Sequence, residues 1–298
     1  MRNRKGYTLI ELMVALVVLL LVTGSLYKLL VSTQRLSRAQ AERVDLQSNV
    51  RTASVVIPAE LRELNTVVGS LDPFQNDIIS MTATTIQYRA MRGIGFICQA
   101  PAVGGGEIRI SAATTPATPG SYSGLRNPVL GRDAGYVFYD NNSDLSTDDT
   151  WLPVTITGVN TASTCGGVAA YSLTIAPTVA QLPGIPVLTP VRIYEVMELS
   201  LYSSGGQMWL GAQSISGGEL APQPLLGPLA PAAVDGLKLT YLDNANAVTA
   251  NVNNVKSIQL TVVGLSNQAI AKHGGSSQTS IVQDTLTSQV TLRNAFRP

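Results

Sequence analysis

One carboxylate stands apart by its surroundings. Glu11 lies four residues into an apolar stretch of about 25 residues, Tyr7 to Val31, in which it is the only acid. A carboxylate in hydrocarbon is costly and marks a functional site whose partner must be named. Were the chain cut after Gly6, the new α-amino group of Tyr7 would be a cation one helical turn away. In a bundle of identical or related helices, Glu11 could instead pair with that amine on a neighbour. Little else in the sequence has the makings of chemistry. His273, in the loop-like run Lys272-His273-Gly274-Gly275-Ser276-Ser277, is the only histidine, and no G-x-S-x-G elbow is present. That argues against a Ser-His-Asp hydrolase. Asp140-Asn141-Asn142-Ser143-Asp144 opens like a calcium loop, but Leu145 replaces the sixth-position glycine and Trp151 the twelfth-position glutamate. It reads as a polar surface loop. Gly104-Gly105-Gly106 lacks the lysine and helix of a phosphate loop and reads as a turn. No metal, cofactor or catalytic residues are expected, and the chain is read as not an enzyme.

Composition agrees. Of 298 residues, 45% are hydrophobic and only 13% charged, with a formal net charge of +1. Such a chain forms one large domain or two modest ones and is not a disordered one. Tyr122, Arg126, Arg132 and Tyr136 could form an aromatic-basic patch for DNA, but the near-neutral charge gives that no support, so no nucleic-acid partner is expected. Taking Arg2, Arg4 and Lys5 from the 20 basic residues leaves 17 against 19 acidic side chains, a balance of −2 after cleavage.

The elements that position Glu11 follow from hydropathy. At 1.5 Å per residue the apolar stretch spans a hydrocarbon core of ~30 Å. The basic leader should stay cytoplasmic, which places the bulk of the chain outside the cytoplasm. No A-x-A cleavage site follows: after Val22 the chain runs Thr23-Gly24-Ser25-Leu26-Tyr27-Lys28. From Ser32 to about Asn65, Leu36, Ala39, Leu46, Val50, Ala53, Ile57, Leu61 and Leu64 recur at spacings that mark one face of an amphipathic helix, with Arg43 interrupting it. Pro58 is expected to kink or split that helix near Ile57.

Beyond Gly69 the texture becomes β-rich. Strands are expected at Thr85–Met91, Glu107–Ser111, Tyr136–Tyr139, Val154–Thr157, Ala169–Ile175, Val191–Tyr202, Gln207–Ala212, Leu237–Leu242, Val255–Val263 and Thr285–Leu292. Pro101–Arg126 and Ser214–Val234 read as mostly loop, apart from Glu107–Ser111 in the first. Cys98 and Cys165 are the only thiols. Outside the cytoplasm an even pair favours a disulfide, two buried free thiols being the alternative. With no C-x-x-C spacing, neither reads as a redox or zinc residue.

The run Lys5-Gly6-Tyr7-Thr8-Leu9-Ile10-Glu11-Leu12 resembles the class III signal of type IV pilins and pseudopilins. The resemblance implies that a prepilin peptidase cuts between Gly6 and Tyr7 and that Tyr7, in place of the usual phenylalanine, is N-methylated. It makes Glu11 the assembly carboxylate. Lys28 stands where major pilins often carry proline. The segment after the membrane helix, with Asn49, Arg51, Ala53, Leu61 and Arg62, resembles PilW-like minor pilins and J-type minor pseudopilins. A weaker likeness to these chains is Asp235-Gly236-Leu237-Lys238-Leu239-Thr240-Tyr241-Leu242-Asp243, and the ending Leu286-Thr287-Ser288-Gln289-Val290-Thr291-Leu292-Arg293-Asn294 resembles the close of PilW-like chains. The middle, about Asp72–Pro190, is not placed by the resemblance.

The expectation is therefore an α+β chain: a long N-terminal helix packed on an antiparallel, β-rich, pilin-like domain. Its parts are a leader at 1–6, a transmembrane and assembly helix at 7–31, an amphipathic continuation at 32–65, and an extracytoplasmic domain at 66–298. The implied function is that of a minor pilin helping to initiate or cap pilus assembly. A minor pseudopilin of type II secretion and a membrane-anchored adhesin are the alternatives. The implied partners are the prepilin peptidase, other major and minor pilins or pseudopilins, and the inner membrane. The expected location is that membrane first, then the pilus or pseudopilus, at or near its tip.

Overall fold

The structure, a computed structural model, describes residues 8–66, 76–102, 105–114, 119–140, 150–177, 185–271 and 279–292. Among the described residues a single α-helix, α1 (Leu9–Arg62, 54 residues), precedes fifteen strands. At 1.5 Å per residue it is about 81 Å long. The chain is thus α+β, with the apolar helix followed by a large antiparallel sheet. Of the expected face, Ala39, Leu46, Val50, Ala53, Ile57, Leu61 and Leu64 are buried, whereas Leu36 is exposed. Pro58 does not split the helix, which runs unbroken through it. Pro58 lies within two turns of the end, and its burial beside Ile57 and Leu61 offsets the one hydrogen bond that its ring removes.

The strands are β1 (Ile78–Met81), β2 (Thr85–Gln99), β3 (Glu107–Ser111), β4 (Ser123–Gly124), β5 (Asp133–Tyr139), β6 (Thr150–Cys165), β7 (Val168–Ala176) and β8 (Pro190–Ser204). There follow β9 (Gln207–Ser214), β10 (Gln223–Leu229), β11 (Leu237–Leu242), β12 (Ser257–Leu265), β13 (Ile270–Ala271), β14 (Thr279–Ser280) and β15 (Gln283–Thr291). The expected loop Ser214–Val234 therefore contains a strand. Its run Gln223-Pro224-Leu225-Leu226-Gly227-Pro228-Leu229 carries two prolines, which cannot donate to a ladder, so the sequence hid it. It pairs with β9 through an irregular register, shifting between Pro224 and Leu226 and again before Leu229.

Two cores result. In the first, α1 packs on β10, β12, β13 and β15. Ala53, Ile57, Leu61 and Leu64 meet Ile86, Tyr88, Leu210, Leu237, Ile258, Leu260 and Val290 there. Contact is closest at Gly264, where a Cβ would stand 2.7 Å from a Val50 methyl and 2.8 Å from one of Leu46.

The second core accounts for much of the stretch that the resemblance left unplaced. β2 pairs with β8 over eleven residue pairs, from Thr85↔Ser200 to Phe96↔Pro190, and continues onto β3. From β3 the pairing runs to β7, β6, β5 and back to β8, closing a ring of six antiparallel strands. Ile97, Ile108, Ile110, Val137, Val154, Ile156, Leu173, Val191 and Ile193 fill it. Tyr122 packs edge-on to Tyr171 with ring centres 5.5 Å apart. It occupies the space that Gly93 leaves, since a Cβ there would lie 2.1 Å from the Tyr122 hydroxyl oxygen. Cys98 at the end of β2 and Cys165 at the end of β6 are joined by a disulfide, Cα to Cα 6.0 Å.

Candidate functional site

Gly6 and Tyr7, the expected cleavage and methylation positions, lie outside the described residues. The helix begins immediately after them. Thr8 is the N-cap, in extended conformation at φ −79° and ψ 150°. Its hydroxyl accepts the Glu11 backbone N–H at 3.3 Å. The Glu11 carboxylate in turn accepts the Thr8 backbone N–H and hydroxyl, each at 3.3 Å. This reciprocal box satisfies donors that the first helical turn would otherwise leave orphaned, and it puts a negative charge at the positive end of the helix dipole. Thr8 is the component that the sequence reading passed over. The Thr-x-x-Glu spacing signals it.

Past Glu11, the large apolar side chains from Leu12 to Leu30 are exposed, Leu21 at 69%. This part of α1 therefore touches no other element among the described residues. Its hydroxyls are turned back onto the helix: Thr23 Oγ1 donates to the Leu19 carbonyl at 2.7 Å, and Ser25 Oγ to that of Val22 at 2.8 Å. The outward surface offers mainly apolar groups, with the Glu11 carboxylate at its start and Tyr27 and Lys28 near its end. By length and composition it can cross a membrane.

Lower on the helix the named residues do different work. Asn49 Nδ2 donates to the Gly227 carbonyl at 3.1 Å, Ala53 and Leu61 are buried, and Arg51 and Arg62 face outward. Glu42 Oε2 accepts the backbone N–H groups of Asn267 and Gln268 at 2.9 and 3.3 Å. Nothing in the sequence flagged Glu42.

The aromatic-basic patch is not assembled as such. Tyr122 and Tyr136 are buried. Arg126 forks onto Asp133 at 2.5 and 2.7 Å and reaches Glu195 at 3.2 Å, while Arg132 pairs with Glu195 and Glu219. Arg92, at a bulge in β2, adds its Nε to Glu195 at 2.8 Å and lies 4.0 Å from Glu60 on α1. Glu195 is 2% exposed. Burial alone would raise its pKa, but the Ser214 hydroxyl and the Arg92 and Arg132 guanidinium groups outweigh that and hold it near 2. These arginines are engaged with carboxylates and are not displayed for phosphate. The remaining candidates are inert or outside view. His273 and 141–149 of the acidic loop lie outside the described residues. Gly104 lies outside the described residues, and Gly105 N donates to the Ala102 carbonyl at 2.9 Å. Among the described residues, no group of three or more His, Cys, Asp or Glu is placed to hold a metal ion.

The family model of the prokaryotic N-terminal methylation motif matches residues 1–27. No curated protein and no solved structure matches the chain. The matched residues take in Gly6, Tyr7, the Thr8–Glu11 box and most of the exposed apolar helix. They mark the chain as a type IV pilin-like or pseudopilin precursor of the kind that prepilin peptidase processes and that an inner membrane anchors.

Proposed function

We propose that the chain is a minor subunit of a type IV pilus, cut after Gly6, methylated at Tyr7 and built into the fibre through α1 to initiate or cap assembly. The observation that carries this reading is the exposed apolar helix with Glu11 in its first turn. A helical segment that touches no other element among the described residues needs lipid before assembly and other helices after it. The carboxylate then exchanges its Thr8 contacts for the α-amino group of a neighbouring subunit, which fixes the register of one helix against the next. The extra barrel supports a minor role, because it is bulk that a densely repeated subunit would have to accommodate at every step. On this reading the protein catalyses nothing. Its partners are prepilin peptidase and other pilins, and its place is at or near the tip.

Glu11→Ala should leave a stable membrane protein that is absent from sheared fibres, since an uncompensated charge in an apolar setting costs several kcal/mol. Normal incorporation of that variant would refute the mechanism. Gly6→Val should block processing, seen as an unshifted band in the presence of the peptidase. The second reading, a J-type pseudopilin of type II secretion, shares every one of these features. Co-purification from membranes separates the two by whether pilus or secretion subunits accompany the chain.

A further inference from the structure

The last strand of the sheet has an open edge built to receive another backbone. β15 pairs with β12 over nine unbroken residue pairs, Gln283↔Leu265 to Thr291↔Ser257. Leu292 N donates to the Lys256 carbonyl at 3.0 Å, which sets the alternation of the ladder. Even-numbered residues of β15 turn their N–H and C=O groups toward β12, and odd-numbered residues turn theirs away. The outward N–H of Thr285 is taken by the neighbouring Asp284 carboxylate at 2.9 Å. Thr287, Gln289 and Thr291 are left presenting backbone donors and acceptors to the edge, and no described backbone group bonds across it.

Exposed edges are usually blunted by lysine, proline, a bulge or shortness. β15 has none of these. It is about 30 Å long, regular, free of proline and lysine, and its single charge is Asp284 at one end. Its outward side chains, Gln283, Thr285, Thr287, Gln289 and Thr291, are exposed and uncharged. They are held flat by cross-strand contacts, Thr287 to Thr261 at 3.3 Å and Gln289 Nε2 to the Ser257 hydroxyl at 3.0 Å.

We propose that this edge is a docking site for an extended strand of a second protein, which adds to the sheet beside Thr287, Gln289 and Thr291. The partner strand is low in charge. Its side chains alternate, polar on the Thr/Gln face and apolar on the face toward α1, which packs over β15. An antiparallel pairing of two copies is excluded by symmetry, an exclusion that rests on the membrane-anchored reading. Such a pairing places a two-fold axis perpendicular to the sheet. A helix lying along the sheet is reversed by that axis, so the two apolar helices would point in opposite directions and could not enter one bilayer.

Amide hydrogen exchange on the full chain tests the site, comparing detergent-dispersed monomer with complexes gently solubilised from native membranes. Thr287, Gln289 and Thr291 should exchange freely in the monomer and at least tenfold more slowly in the complex. Thr287→Pro removes only an outward N–H and should abolish protection at Gln289 and Thr291, while Thr287→Val should keep it. A paired Thr287→Lys and Gln289→Lys change gives the same reading if the proline variant melts at a lower temperature. Free exchange in the complex, or a chain that occurs only as monomer, overturns the proposal. So does protection already present in the monomer, which would mean that the chain covers its own edge. A Gln289→Cys cross-link to a second copy alone overturns the choice of partner. Incorporation into fibres is scored separately, so an incorporated chain with unprotected amides refutes the edge and leaves the assembly helix standing.

Discussion

Two carboxyl groups in the β domain, the buried Glu195 and the half-buried Asp77, carry opposite pKa shifts, and their consequences for stability differ in sign. Glu195, held near 2 within its arginine cage, contributes stability that is complete above the ordinary glutamate value of about 4.3 and is lost as pH falls toward 2. Glu195→Gln leaves Arg92, Arg126 and Arg132 around a neutral group. It should cost about 3 kcal/mol at pH 7 in a urea titration of the detergent-solubilised chain, a penalty that shrinks as pH approaches 2. Asp77 is the reverse case. Burial raises its pKa to about 6 despite the Asn65 N–H at 2.7 Å and the nearby Arg89 and Arg192. Its contribution is complete below about 4 and is lost as pH rises through 6. The wild-type chain should therefore gain stability from this group between pH 7 and pH 4, and Asp77→Asn should flatten that change. An unflattened profile would assign the pH dependence elsewhere. Neither site could be read from the sequence, because each is assembled from residues far apart in the chain, such as Arg92, Arg126 and Glu195.

At the scale of elements, the helix was legible because its two halves have different periodicities: uniform apolarity to Val31, then a three-four spacing. The structure buries almost the whole of that second face. The cleanly alternating Leu237–Leu242 kept its expected bounds and β8 lies within two residues of its own, whereas β2 and β6 run well beyond theirs. Their extensions are tolerant of Gly, Arg and Thr because ring closure supplies neighbours on both edges. β10 was illegible for the opposite reason, since its prolines suit a strand only where the register is already broken. The seat of the helix on β12 can be tested at one position. Gly264→Val puts side-chain atoms where Val50 and Leu46 already lie, and overpacking of this kind costs about 1–3 kcal/mol. Loss of that size in thermal melts, relieved by a second change of Leu46→Ala, would confirm the close approach. Absence of relief would place the strain in another contact.

For the molecule as a whole, the two cores are separate in content but not in backbone. β2 and β8 each begin in one and end in the other, and Arg92, at the crossing, touches both Glu60 of the helix and Glu195 of the ring. Unfolding of the extramembrane part should accordingly be a single transition. Replacing Cys98 and Cys165 with alanine should lower its midpoint without dividing it, the stability lost being up to about 4 kcal/mol on the chain-entropy account for a span of 67 residues. Two resolved transitions in calorimetry would show that the barrel folds alone. The sequence signalled the disulfide by compartment and parity, but not the ring it secures, because closure depends on long-range pairings such as β5 with β8.

The same double crossing has a mechanical meaning. Between the two cores the chain passes twice, along β2 and along β8, each time in the middle of a hydrogen-bonded strand. Tension passed between the two cores is borne along β2 and β8 and shared by many backbone bonds in parallel. Torque about the helix axis is transmitted in the same way, without backlash. On the proposed reading of a fibre subunit, whatever the barrel touches would be held at a fixed bearing to the helix-packed core.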